Sequence, residues 1–265
     1  MIHSSAIIGA GAKIGANVAI GPHTTIGDEV TIADDTELGA NVVIEGDVSI
    51  GRANRIGHGV LIGAAPQDVR FKAKTRSWVE IGDRNFIREY CTIHRGTAEG
   101  TATRIGNDNF LMGGAHLAHN CRIGNHVIIA NNCLLGGYVR VDDGAFLGGG
   151  CVFHQFMHVG RLAIAQGASA FGKNIPPFVL AAERNCVFGL NVVGLRRAGF
   201  SAQDRDEIKA AFKLIYMTGF NISQALEKAA TMSFGAAAQE FFDFIAKAKK
   251  RGICPYRREP LPGAT

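Results

Sequence analysis

The chain has 265 residues, of which 47% are hydrophobic, 19% charged and 34 in number glycine, with a formal net charge of +5. Low charge and abundant glycine without a three-residue period exclude a disordered or collagen-like chain and fit an ordered repeat. No window approaches roughly eighteen apolar residues, and MIHSSAIIGAG lacks a basic run leading into a long apolar stretch, so neither a membrane span nor a signal peptide is expected.

From the N-terminus an aliphatic residue recurs every six positions: Ile8, Ile14, Ile20, Ile26, Ile32, Leu38, Ile44, Ile50, Ile56 and Ile62. In eight of the ten places glycine follows, the exceptions being Ala33 and Glu45. Neither helix nor plain strand alternation has this period, so it is an internal repeat. It resembles the hexapeptide repeat of left-handed parallel β-helices, in which three hexads complete one triangular coil. The aliphatic residue then points into the prism, and the small residue after it rounds a corner without a Cβ clash. Coils stack about 4.8 Å apart.

Residues 64–77 (AAPQDVRFKAKTRS) break the pattern with a proline and a cluster of positive charges, and an irregular insertion in a regular solenoid is expected to be functional. The repeat resumes one residue out of phase at Ile81, Ile87 and Ile93. A second loop is expected over 94–104, its agreement with the six-residue count being fortuitous. From Ile105 the repeat continues through Leu111, Leu117, Ile123, Ile129, Leu135, Val141, Leu147, Phe153, Val159, Ala165 and Phe171. Roughly eight to ten coils result, a prism about 40–50 Å long. Cys133 and Cys151, one coil apart, are expected to stack as a small apolar ladder rather than a disulfide.

Pro176-Pro177 ends the repeat. The predicted division is a mainly β domain over 1–183 and a small α-helical C-terminal domain over 184–265. Ser201 with Asp204 marks a helix start, and Ile208, Ala211, Phe212, Ile215 and Met217 form its apolar stripe up to Gly219. Further helices are expected over 223–230 and 236–250, with the last dozen residues frayed. From Arg184 onward there are 13 Lys and Arg against 7 Asp and Glu, so the basic character belongs to this third. Such a patch suits an acidic protein, nucleic acid or an anionic surface, or is simply a solvated helical face.

Among nine histidines, His3, His23, His58 and His126 occupy variable hexad positions and are expected to be exposed. GGAHLAHNC places His116 and His119 along one edge. Eighteen residues on, Gly137 puts a backbone N–H about one strand spacing from the His119 ring, and His154 follows two coils along. A neutral imidazole beside a glycine amide can act as general base plus oxyanion donor. Three histidines could instead hold zinc, as in β-helix hydratases of the gamma carbonic anhydrase type, or form polar rungs that bond one another.

IGDRNFIREYCTIHRGT, LMGGAHLAHNC, VDD, HQF, IPPFV and NVVGLRRAGF, in this order, resemble the acyl-ACP:UDP-N-acetylglucosamine O-acyltransferases of lipid A biosynthesis nearly end to end. The resemblance implies a cytoplasmic homotrimer with sites between neighbouring prisms, taking a 3-hydroxyacyl chain from acyl carrier protein. It implies His119 as base on the sugar 3-hydroxyl and Gly137 as oxyanion donor. Gln67, Asp68 and Arg70 would contact glucosamine and acyl chain, with His94, His116 and His154 lining the cleft. Asn191 and Arg197 would hold the uridine nucleotide, and Gly167 would leave room for a longer acyl chain. The basic C-terminal third would meet the acidic carrier protein. No metal or organic cofactor, nucleic acid or membrane insertion is expected.

Several positions depart from the family pattern. Asn120 stands where Asp is usual, Tyr138 replaces a cleft histidine, Val193 an acidic residue and Ala198 a basic one. An amide fixes an imidazole tautomer but does not stabilise an imidazolium as a charge would. One alternative is therefore a paralogue that N-acylates a UDP-3-amino sugar or another nucleotide sugar, since an amine needs less help from a base. A zinc hydratase and a trimeric scaffold without activity are the remaining alternatives.

Overall fold

The computed structural model describes residues 1–248 and 250–257. Two-residue strands dominate, because a hexad spends its other four residues on the approach to a corner and the corner itself. Consecutive strands fall on three different faces, and each pairs in parallel with the strand one coil away. The nine-stranded face runs from Ile7–Ile8 to Ala170–Phe171, beside faces of eight and ten strands. The register is eighteen residues, as in His116 opposite Leu134 and Leu117 opposite Leu135. This is the left-handed β-helix expected from the period of six.

The repeated aliphatics fill the prism: Ile26, Ile32, Ile44, Ile50, Ile62, Ile87, Ile93, Leu111, Leu117 and Ile129 are all fully buried. Each contributes about 1.5–3 kcal/mol by leaving water. A second interior column, two residues earlier in each hexad, is not uniformly apolar. Asn54, Asn85 and Asn109 stack there, with the Asn85 Nδ2 donating to Asn54 Oδ1 at 3.0 Å and Asn109 Nδ2 to Asn85 Oδ1 at 2.9 Å. Every rung satisfies the next, so these amides are buried without an orphaned group. Cys133 and Cys151 are buried, unbridged neighbours in the equivalent column of another corner, and burial pushes both thiols up.

The neighbouring coil crowds most of the glycines that follow an aliphatic, Gly27 being an exception. A Cβ on Gly21 would sit 2.6 Å from the Gly39 carbonyl. The left-handed backbone falls two residues later, at Asn17, Asp35, Asn41, Asn120 and Asn132, where Asn and Asp tolerate φ near +60°.

Two insertions leave the ladder, the first beside a register shift between Ile62 and Ala64. Between Leu61–Ala64 and Ser77–Ile81 lies the first, 65–76. The second is shorter than the expected 94–104, occupying 95–100, because Thr92–His94 and Thr101–Ile105 are strands. Thr101–Ile105 pairs along its whole length with Ser77–Ile81, and Ile81 faces Ile105 twenty-four residues on. One extra hexad's length of loop, rather than one extra edge, accounts for the preserved count.

The two ends differ. At the first coil Ile8 and Ile14 are only half-buried and Ile7 is exposed, and Ile2 bridges Ile20. At the other end Cys186–Leu190 turns back antiparallel on Val179–Ala182 and closes the ten-stranded face. Among the described residues four helices follow: α1 (Val192–Arg197), α2 (Ala202–Tyr216), α3 (Ile222–Ala230) and α4 (Ala236–Lys247). Capping boxes start α2 at Ser201 with Asp204 and α3 at Asn221 with Gln224. In α2, Ile208, Ala211, Phe212 and Ile215 are buried as expected. Leu214 joins them, whereas Met217 lies past the helix end and is exposed. The last helix stops at Lys247 rather than 250; Lys249 lies outside the described residues. Arg161 ties the prism to α4 through Glu240, its Nε 3.0 Å from Oε1, and stacks on Phe178 and Phe200. The terminal dozen is not frayed at its start, since Ile253 bridges Asn174, Tyr256 bridges Val187 and Cys254 is buried; 258–265 lie outside the described residues. Among the described residues no helix is long and apolar enough to cross a membrane.

Candidate active site

The corner that follows the nine-stranded face collects most of the expected residues. His94 ends Thr92–His94, His116 begins His116–Leu117, and His119 and Gly137 round the same corner in successive coils. His119 lies flat against the Gly137 α-carbon, so closely that a methyl group there would overlap the ring. The imidazole needs a bare backbone on the next coil, which is why glycine stands at 137. The N–H groups of Gly136 and Tyr138 are spent on Phe153 and His119 carbonyls at 2.9 Å each. That of Gly137 donates to no acceptor among the described residues, and it is held beside the imidazole.

His119 Nδ1 lies 3.0 Å from Asn120 Oδ1, and Nε2 has no hydrogen-bond partner among the described residues. The Tyr138 ring meets His119 edge-on at 5.3 Å and stacks on Phe156 at 4.8 Å. His94 and His116 meet at right angles, 4.9 Å between centroids, and Thr92 Oγ1 holds His116 Nδ1 at 2.7 Å. Burial pushes His94 down to about 4, assisted by the charges of His116 and His119, and burial lowers His116 as well. Both rings are therefore neutral at pH 7.

A stability signature follows for His94. Unfolded, its imidazole titrates at the ordinary value of 6.5; folded, at about 4. As pH falls between those values the unfolded chain takes up a proton that the native site refuses, so stability declines by up to about 3 kcal/mol. Above 6.5 this contribution is flat. His94→Gln is expected to flatten the dependence of the unfolding midpoint on pH across that window. An unchanged slope would show that His94 titrates normally in the fold.

The first insertion brings Asp68 within electrostatic reach of His119 at this corner. The Arg70 backbone N–H at 2.9 Å, then its guanidinium at 3.4 Å, hold the Asp68 carboxyl below its ordinary range. Gln67 and Arg70 are exposed on the same loop. His154, two coils along the edge, is exposed, its Nδ1 3.2 Å from the Gln155 carbonyl.

Three expected residues lie elsewhere on the protomer. Gly167 follows Ile164–Ala165, on another face, with Gly149 beneath it; a Cβ there would stand 3.1 Å from the Gly149 oxygen. Asn191 caps α1: its Oδ1 accepts from Gly194 N–H and its Nδ2 donates to Leu162 O, both at 2.9 Å. Arg197 is exposed in the last turn of α1. Val193 and Ala198 flank it, both exposed. The second loop supplies a residue that the spacing did not single out: Thr97 bonds Asn120 through both its backbone and its hydroxyl. Its sequence signal was present in TIHRGT, but only the closed loop shows what it touches.

Among the described residues no three His, Cys, Asp or Glu side chains are placed to hold a metal ion.

Comparison with known proteins gives the family. A family model described as UDP-N-acetylglucosamine O-acyltransferase, domain 2, matches residues 174–254, and bacterial transferase hexapeptide repeats match 5–39, 29–64 and 102–137. The acyl-[acyl-carrier-protein]–UDP-N-acetylglucosamine O-acyltransferase of Synechocystis is 44% identical over 223 residues, covering 84% of this chain and 79% of the relative. The chain belongs to the UDP-N-acetylglucosamine O-acyltransferase family. It is an acyltransferase. The equivalent enzyme of Gloeothece citriformis is 41% identical over the same shares. Among solved structures, the Bacteroides fragilis acyltransferase superposes with a TM-score of 0.91 at 42% identity, covering 96% of this chain and 99% of that one. The Francisella novicida acyltransferase gives 0.91 at 36%, covering 98% and 95%.

Proposed function

We propose that this acyltransferase moves a 3-hydroxyacyl chain from acyl carrier protein to the 3-hydroxyl of UDP-N-acetylglucosamine, the first step of lipid A biosynthesis. The observation that carries this reading is the pairing of a tautomer-fixed His119 with the uncommitted N–H of Gly137 at one corner. His119 Nε2 takes the sugar hydroxyl proton as the oxygen attacks the thioester carbonyl. Negative charge moves to the carbonyl oxygen, against the Gly137 N–H. Collapse breaks the carbon–sulfur bond, and the departing thiolate takes the proton back from His119. The thioester supplies the activation, so no cofactor enters the sequence.

Asp68 and Gln67 are placed to grip the glucosamine and Arg70 the substrate, with His94, His116 and His154 lining the cleft. Gly167, Asn191 and Arg197 sit away from that corner on one protomer. Their separation supports a site built between copies, hence a homotrimer of 1–183 prisms, each carrying its 184–265 helical domain. Asn191 serves there by fixing α1, which presents Arg197 to the nucleotide; Gly167 leaves the acyl groove long. The carrier protein would dock on the basic helical third, and such a donor places the reaction in the cytoplasm.

A second reading is favoured by Asn120. A neutral amide 3.0 Å from the base gives an imidazolium less support than a carboxylate, which matters less for an amine nucleophile. The test is to offer UDP-N-acetylglucosamine and its 3-amino counterpart with a panel of acyl carrier proteins, and to weigh the products by mass spectrometry. Preference for the 3-hydroxyl sugar supports the first reading and removes the second. Product from neither would leave a scaffold.

A further inference from the structure

Asn120 is fixed on every side but one. Its backbone is left-handed at φ 61°, its N–H donates to Thr103 Oγ1 at 2.8 Å, and the residue is buried. What remains free is a half-turn of the terminal amide, which exchanges Oδ1 for Nδ2. That half-turn decides the chemistry of His119, because an oxygen facing Nδ1 demands a proton there, whereas an NH2 facing it demands a lone pair. Only the first leaves Nε2 able to accept a proton.

Thr97 distinguishes the two states. Its backbone N–H reaches Asn120 Oδ1 at 3.0 Å and its hydroxyl reaches the same atom at 3.1 Å. A backbone N–H can only donate, so the flipped amide would set two donors against each other. Having given its one proton to Asn120, the Thr97 hydroxyl accepts from the Tyr138 hydroxyl, 3.2 Å away. Asn120 and Tyr138, two of the residues that set this chain apart from the family pattern, are thus joined through one loop threonine.

We propose that Thr97 is a positioning residue for acyl transfer: acting through Asn120, it selects the His119 tautomer whose Nε2 is free to take the substrate proton. The role rests on His119 being the base, but the tautomer is measurable without turnover. A carboxylate at 120 would need no such selection, since both of its oxygens accept. Thr97 and Asn120 should therefore be coupled in a way that packing alone does not produce.

The experiment is nitrogen-15 NMR of the histidine rings, at a pH where they are neutral, alongside pH profiles of kcat/KM. The proteins are the parent, Thr97→Val and Thr97→Pro, each also carrying Asn120→Asp. The parent is expected to hold His119 protonated at Nδ1 alone. Thr97→Val removes one of two donors and should lower kcat/KM about threefold to tenfold, with some of the second tautomer visible. Thr97→Pro removes both and should show a mixture and a larger loss. With Asn120→Asp present, Thr97→Val should change neither tautomer nor rate beyond about twofold, and the residual loss in Thr97→Pro measures distortion of the loop. A single tautomer in every Thr97 variant, or equal losses in both backgrounds, would overturn the proposal. A tautomer shift in a protein whose His119→Ala variant keeps full activity would instead overturn the assignment of the base, leaving the control of the ring by Thr97 intact.

Discussion

Replacing His119 by alanine is expected to lower kcat by about 10²–10⁴-fold while KM for either substrate changes little. That is the range a positioned general base supplies, and the group acts on a proton in flight rather than on bound substrate. The fold should not notice. His119 lies on the outer side of a corner, its ring spread over the next coil rather than inserted in the prism, and no interior rung depends on it. The unfolding midpoint is therefore the control, expected to stay near the parent value. Retention of kcat within tenfold would mean that another group takes the proton, and the neutral His94, buried, and His116, half-buried, would be poor substitutes.

The second large effect belongs to Gly137. Its backbone φ is unexceptional, so alanine is not excluded by conformation. The obstacle is the His119 ring, which occupies the space a methyl would need. Since that ring is a side chain rather than backbone, it is the part that moves. Gly137→Ala is expected to push the imidazole off its station while keeping the amide N–H, and so to lose activity to within several-fold of His119→Ala. The decisive measurement is the double variant. With no ring left to displace, Gly137→Ala added to His119→Ala should cost almost nothing further, and the double variant should be more stable than Gly137→Ala alone. Additive losses would mean that residue 137 contributes to the rate by some route other than the ring.

The period of six gave the prism, its coil length and its corners directly, because an interior position that repeats over so many hexads leaves one way to stack. The same ruler placed Gly137 over His119 before any coordinates. It failed where the chain leaves the ladder. The expected second loop is too wide because most hexads form only a two-residue strand, whereas here five consecutive residues, Thr101–Ile105, pair with Ser77–Ile81. The asparagine column was invisible for a related reason: Asn54, Asn85 and Asn109 sit at unequal spacings in sequence and align only after the insertions are looped out. For the site, the histidines could be read from spacing and family resemblance, but Thr97 could not, since its partner lies twenty-three residues on and is reached only by loop closure. The short α1 was missed altogether, being six residues with a glycine in its middle and a cap that also bonds the prism.

The unequal ends of the prism give its stability a direction. Each coil is held almost wholly by its two neighbours, so the prism behaves as a zipper, and a zipper opens where it is not closed off. The first coil keeps Ile8 and Ile14 only half-buried, whereas the last is folded under Cys186–Leu190 and clamped by Arg161 to α4. Local opening should therefore start at the N-terminus and run inward, reaching the outer coils far more often than the corner that holds His119. The early coils form a sacrificial margin, and the reactive edge sits on the sealed side of it.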